Sequence, residues 1–248
     1  MTLPPTGDIA IVVGGALAAG FVNGLTGTGY ALVAMGFWLQ AMLPVTAAPL
    51  VALCSVTGHL QALRRIWHGV RWPRLWPFLA AGVAGVPIGI TLLQYIHVQP
   101  LKLGVGLLLI LYSAWMAFVR HPPIVTGGGR LADGAIGLLG GVMGGMASLS
   151  GPAPIIWTQL RGWNRNEQRG VNQPFNMTIL ATALLAAAVA GLLDETFLLW
   201  ALITVPTSFA GARLGLAVYG RVSDTGFRWL VLGFLGLSGV VLVVTSLG

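Results

Sequence analysis

Acidic side chains are nearly missing from this sequence: its 248 residues contain six Asp and Glu, and charged residues of both signs make up 8%. Soluble domains carry roughly 25% charged residues, so this composition cannot cover a water-facing surface. Cysteine is just as scarce. Cys54 stands alone, which excludes an intrachain disulfide and a cysteine metal cluster. There is no P-loop, no metal-ligand spacing, no GxSxG and no acid pair. ATP-driven pumping and membrane hydrolysis therefore have no support, and neither cofactor, metal nor enzymatic activity is expected.

What is present is apolar. Hydrophobic residues make up 56% of the chain and the mean hydropathy is +0.86. Backbone groups in hydrocarbon must be satisfied within their own segment, so long apolar runs read as helices. A β-barrel would alternate in segments of about ten residues, and these runs are continuous. The first run follows Asp8 and no Lys or Arg, so it lacks the basic start of a signal peptide and is expected to be retained. Ten helical segments follow, at 9–22, 30–43, 49–66, 75–93, 101–119, 133–147, 152–160, 171–192, 197–219 and 227–246.

They fall into two sets of five. Gly20, Gly24 and the following Gly27-Thr28-Gly29 correspond at one constant offset to Gly141, Gly145 and Ser148-Leu149-Ser150. Later, Gly85 and Gly89 with Leu101-Lys102 correspond to Gly211 and Gly215 with Phe227-Arg228. The order of these features points to a duplication.

The positive charge, formally +7, orients the chain. Arg64, Arg65, Arg71 and Arg74, then Arg120 and Arg130, then Arg161, Arg165 and Arg169, then Arg221 and Arg228 mark cytoplasmic loops by the positive-inside rule. Both termini and the loops at 44–48, 94–100 and 194–195 lack Lys and Arg and are placed outside, with Lys102 a mild exception. Both ends of the 9–43 pair then lie outside, and both ends of the 133–160 pair inside. Each pair must enter and turn back, with limbs of roughly 9 to 15 residues, short of the ~20 that span a bilayer. The competing reading makes these limbs ordinary tilted spans. Three full spans follow each pair, so the second half is inverted. The expectation is an all-α integral membrane protein of two inverted-topology repeats, each a re-entrant helical hairpin followed by three transmembrane helices. The repeats occupy 8–119 and 133–248, with a cytoplasmic linker at 120–132. Secondary transporters built this way bind substrate where broken helices meet.

The hairpin turns hold the candidate site: Asn23, Thr26, Gly27, Thr28, Gly29 and Tyr30 in the first, Ser148, Ser150 and Gly151 in the second. Pro152 and Pro154 suit a helix start. Helix N-termini present free N–H groups and a positive dipole end, which attract an anion. Packing alone accounts for Gly137, Gly141 and Gly145. The third segments add Ser55 and His59, with Thr57, and Asn172, Gln173 and Asn176; Ser55 and Asn176 correspond. Polar groups in hydrocarbon are commonly functional, or else interhelical ties. Arg213 is either a substrate counter-charge or a snorkelling side chain. No Asp or Glu is placed inside a span, so proton coupling would run through His59, Tyr30, water or substrate. Trp67, Trp72 and Trp76 among arginines form an interfacial belt rather than a nucleic-acid patch.

On Gly20-Phe-Val-Asn-Gly-Leu-Thr-Gly-Thr-Gly-Tyr30, Gly140-Gly-Val-Met-Gly-Gly-Met-Ala-Ser-Leu-Ser-Gly-Pro152 and Gly211-Ala-Arg-Leu-Gly215, the chain resembles the sulfite exporter TauE/SafE family along essentially its whole length. The second copy departs from the family pattern with Ser148 and Ser150 in place of glycines. The resemblance implies a multi-pass permease of the bacterial inner membrane for sulfite or organosulfonates. Expected partners are that small anion and the lipid bilayer, with a homodimer left open and nucleic acid excluded. Asn23, Thr28, Ser150, Gln173 and Asn176 with backbone amides are expected to hold the anion between the two hairpin tips. A carboxylate carrier and a non-transporting assembly subunit are the alternatives.

Overall fold

Each apolar segment becomes a helix. The computed structural model describes residues 6–26, 29–67, 70–119, 123–218 and 224–247, which form ten α-helices and no strand. They are α1 (Thr6–Thr26), α2 (Tyr30–Ala41), α3 (Pro44–Trp67), α4 (Trp72–Tyr95), α5 (Val98–Phe118), α6 (Gly129–Ala147), α7 (Pro152–Leu160), α8 (Arg165–Val189), α9 (Glu195–Val218) and α10 (Asp224–Leu247). Among the described residues, four stretches are long and apolar enough to cross a membrane: Gly7–Leu25, Trp72–Tyr95, Val98–Phe118 and Glu195–Val218. Ile88, Leu92, Leu111, Leu202 and Leu214 point outward from the bundle, a surface suited to lipid and costly in water.

The first limb of each hairpin is longer than expected. α1 has 21 residues and α6 has 19, about 31 and 28 Å of helix against a hydrocarbon core of about 30 Å. α6 begins at Gly129 because Gly128 takes a left-handed φ of 87° as its N-cap. Asp133, expected as the first residue of this segment, consequently lies a turn inside the helix and is buried. The second limbs are short, 12 residues in α2 and 9 in α7. Each folds back along the first. Trp38 Nε1 donates to the Val12 carbonyl at 3.0 Å, and Trp157 Nε1 donates to Asp133 Oδ1 at 2.7 Å. Val12 and Asp133 share the offset that relates Gly20 to Gly141, so a tryptophan closes each hairpin onto a corresponding acceptor position, although the two tryptophans do not themselves share that offset.

Glycine decides which helices pair. α1 packs most extensively on α9, α4 on α6, and α5 on α10. A Cβ on Gly20 or Gly24 would strike the Ser208 or Ala212 carbonyl, and one on Gly211 or Gly215 the Leu17 or Phe21 carbonyl. The α4–α6 pair repeats this with other partners: Gly85 and Gly89 meet the Leu138 and Val142 carbonyls, Gly141 and Gly145 those of Gly82 and Val86. Backbone thus touches backbone, the small-residue contact of membrane helices. The two glycine motifs that repeat in the sequence pack against each other's counterparts. Contacts climb together along both pairs, so α1 is parallel to α9 and α4 to α6. α5 and α10 are antiparallel: Gly236 faces Ser113, while Gly239 lies against Gly106 and Ile110.

At one end of the bundle the loops are tied together. Pro174 interrupts α8 and removes the N–H that would bond the Gly170 carbonyl. The Arg71 N–H takes that carbonyl at 3.4 Å. Nearby, Arg74 pairs with Glu167 at 2.9 Å and lies over the Trp163 ring, while Asn164 and Glu167 form a capping box at the start of α8.

Candidate functional site

The second hairpin turn is built by the end of α6. Ser148 ends that helix with a left-handed φ of 56°, a conformation that costs a non-glycine residue about 1–2 kcal/mol. Its N–H returns to the Gly144 carbonyl at 2.8 Å and its hydroxyl donates to the Ala48 carbonyl of α3 at 2.7 Å. Both of its donors are therefore used, and Ser148 serves as a joint between hairpin and α3. Gly140 and Gly144 give the turn room: a Cβ on either would lie 3.0–3.1 Å from Ser150 atoms. α6 thus uses one glycine face to meet α4 and another to seat the turn.

Ser150 is fully buried, and its hydroxyl donates to the side-chain carbonyl of Asn176 on α8. The bond occupies the Asn176 oxygen and leaves its NH2 as a donor. Gly151 stands beside Asn176, and α7 begins at Pro152. Pro152 and Pro154 carry no N–H, which narrows the expected amide donors of this helix start. The N–H groups of Ser150, Gly151 and Ala153 make no backbone hydrogen bond, so three donors remain around the positive end of α7. Gln173 lies one turn before Asn176 and is half-buried. Behind the seat, Asn172 Nδ2 donates to Thr158 Oγ1 at 2.9 Å and fastens α7 to α8.

The first hairpin is different in kind. Thr28 and Gly27 lie outside the described residues, as does the Thr26 side chain, so the expectations placed on them stand apart from the structure. Gly29 takes φ 93° before α2. Asn23, Tyr30 and Ser208 border a small, partly open cavity with Cys54 and Thr57. The Tyr30 hydroxyl and Ser208 Oγ are 2.6 Å apart, and Cys54 Sγ donates to Thr204 Oγ1 at 3.6 Å. Asn23 Oδ1 is buried with no hydrogen-bond partner, as are Ser55 Oγ and His59 Nε2. His59 Nδ1 sits 2.6 Å from the Ser55 carbonyl; a carbonyl only accepts, so Nδ1 carries a proton. The corresponding residues Ser55 and Asn176 therefore differ, because Gly29 stands where Ser150 supplies a hydroxyl.

The predicted set thus divides in two: Ser150, Gly151 and Asn176 in one cluster, Asn23 and Tyr30 in another. Arg213 belongs to neither polar cluster. It is exposed on α9, its guanidinium 5.1 Å from the centre of the Phe209 ring. Sequence reasoning missed Thr204 and Ser208, both buried on α9. Their spacing of four residues in an otherwise apolar helix is the signal that would have found them. It also missed the Asp133–Trp157 bond, for which a helix start at 133 left no reason.

The family model described as Sulfite exporter TauE/SafE matches residues 12–242, nearly the whole chain. Neither a curated protein nor a solved structure matches.

Proposed function

This chain belongs to the sulfite exporter TauE/SafE family, and from that premise we propose that it carries sulfite or an organosulfonate by alternating access, the anion seated at the start of α7. Membership makes it a multi-pass membrane transporter of sulfite-type anions; the seat and the mechanism are our reading. The observation that carries the reading is the N–H set of Ser150, Gly151 and Ala153, free of backbone acceptors at a helix start. A sulfonate or sulfite group has three acceptor oxygens, which suits three neutral donors with the Asn176 and Gln173 amides beside them. Negative charge is then offset by the helix dipole without a fixed cation.

Inverted repeats are supported by three features of the packing. The α1–α9 and α4–α6 pairs exchange partners between halves, both run parallel, and the counterparts α5 and α10 run antiparallel. The same directions agree with outward termini and basic loops inside: α1 and α9 both start at acid-bearing, Arg-free ends, α4 and α6 at Arg71 and Arg130. The short second limbs favour re-entrant hairpins. Such a design places substrate where helices break, and rocking one half against the other exposes it to either side.

Proteoliposomes holding the purified full chain test the function. Radiolabelled sulfite uptake is expected to saturate with concentration, to compete with a small alkanesulfonate, and to be little affected by equal acetate. Competition by acetate instead would make it a carboxylate carrier. Uptake no faster than in empty liposomes for every oxyanion tried would leave a non-transporting assembly subunit.

A further inference from the structure

The cavity at the first hairpin has the chemistry of a cation site, and we propose that it binds one sodium ion. Four helices line it with residues that carry an uncharged oxygen: Asn23 from α1, Tyr30 from α2, Thr57 from α3 and Ser208 from α9. Asn23 is 7% exposed and its carbonyl oxygen has no partner. A buried acceptor without a donor calls for a cation or a water. Thr57 turns its proton to the Cys54 carbonyl at 2.9 Å, which leaves the lone pairs of its oxygen available as a ligand. One of the Tyr30 and Ser208 hydroxyls donates to the other, and each oxygen retains lone-pair capacity.

Position and size select the ion. Asn23 lies in the last turn of α1, where carbonyls lack helical partners and the dipole is negative. That field opposes an anion and favours a cation. The cavity has room for roughly one water molecule, too little for a three-oxygen anion. Among the described residues no carboxylate lines it, so only dipoles offset the charge, which suits a monovalent ion rather than a divalent one. Half-helix C-terminal ends and unwound backbone carbonyls hold sodium in other secondary transporters. Asn23 and Tyr30, expected from the sequence to touch the anion, thereby become ligands of a coupling ion. The inference stands on this cavity and does not require the anion seat at α7.

Binding of radioactive sodium to the purified full chain in detergent is the test. Saturable binding of one ion per chain is expected, displaced by unlabelled sodium, weakly by potassium and not by choline. Asn23→Leu is expected to abolish it, and Thr57→Val, which keeps the side-chain volume, to weaken it about tenfold while the protein stays monodisperse. Thr57→Val decides the matter if Asn23→Leu fails to fold. No saturable binding, or binding unchanged in the folded variant, would overturn the proposal and leave the cavity to water. Either result is independent of sulfite flux, so failure here and failure of the transport reading are separable.

Discussion

Replacing Gly141 with leucine is expected to abolish the folded protein, and alanine there to cost about 3 kcal/mol, at the upper end for overpacking a tight contact. The Cβ would overlap the Gly82 carbonyl, and its neighbours on that face are the Gly82 backbone itself. A backbone carbonyl cannot rotate aside as a flexible side chain can, so the helices must separate. Separation would also disturb Gly85, Gly89, Gly137 and Gly145, which rest on the same interface. Gly20 sits in the corresponding place on α1 and is expected to behave alike. Gly104 provides the contrast, with nothing within 4 Å of an added Cβ. Alanine at Gly104 is expected to be neutral or to stabilise by up to about 1 kcal/mol, the helix-propensity gain. Thermal unfolding in detergent distinguishes them, and equal tolerance at Gly141 and Gly104 would refute the helix pairing.

Asn176→Leu is expected to raise the KM for sulfite uptake by roughly 10- to 100-fold. A hydrogen bond to a charged group contributes about 1.5–3 kcal/mol, and 1.4 kcal/mol is tenfold. The same change strands the Ser150 hydroxyl, which has Asn176 as its acceptor. Ser150→Ala separates the two roles. It removes the bond that aims Asn176 yet leaves the backbone N–H donors in place, so a smaller rise in KM is expected. Thr91→Val serves as the reference, since Thr91 is exposed on α4 and bonds only its own helix at the Pro87 carbonyl. Uptake with unaltered KM in Asn176→Leu would remove α8 from the substrate site.

Much of the architecture was legible because hydrocarbon allows so few backbone solutions. Continuous apolar runs had to be helices, and all ten are found. The glycine repeats were legible as repeats and as packing elements, but their pairing was not. Which glycine faces which carbonyl depends on how ten helices assemble, and periodicity within one helix holds no such information. Helix starts misled at α6, where the polar stretch before 133 reads as a loop although Gly128 in a left-handed conformation begins the helix at Gly129. That error put Asp133 at the first residue of the helix instead of a turn inside it. The partner it needed was Trp157, 24 residues away, an indole N–H that makes a buried carboxylate tolerable.

The candidate site was legible by residue type and less so by role. Hydroxyls and amides at the two turns stood out against apolar surroundings, yet Ser148, Ser150 and Asn23 have separate duties. Ser148 spends its hydroxyl on α3, Ser150 holds Asn176, and Asn23 borders a cavity and carries a buried acceptor that lacks a donor. Sequence symmetry suggested two equal tips. The exchange of Gly29 for Ser150 at corresponding positions makes them chemically unequal, which is the physical basis for assigning an anion to one and a cation to the other.

The central claim is that a sulfur oxyanion sits at the start of α7. Selenite, the heavier analogue of sulfite, can be located by its anomalous scattering in crystals of the full chain. The account predicts a selenium peak within hydrogen-bonding reach of the Ser150, Gly151 and Ala153 N–H groups and the Asn176 amide. A peak at the Asn23 cavity, or on the exposed face of α9 beside Arg213, would contradict it.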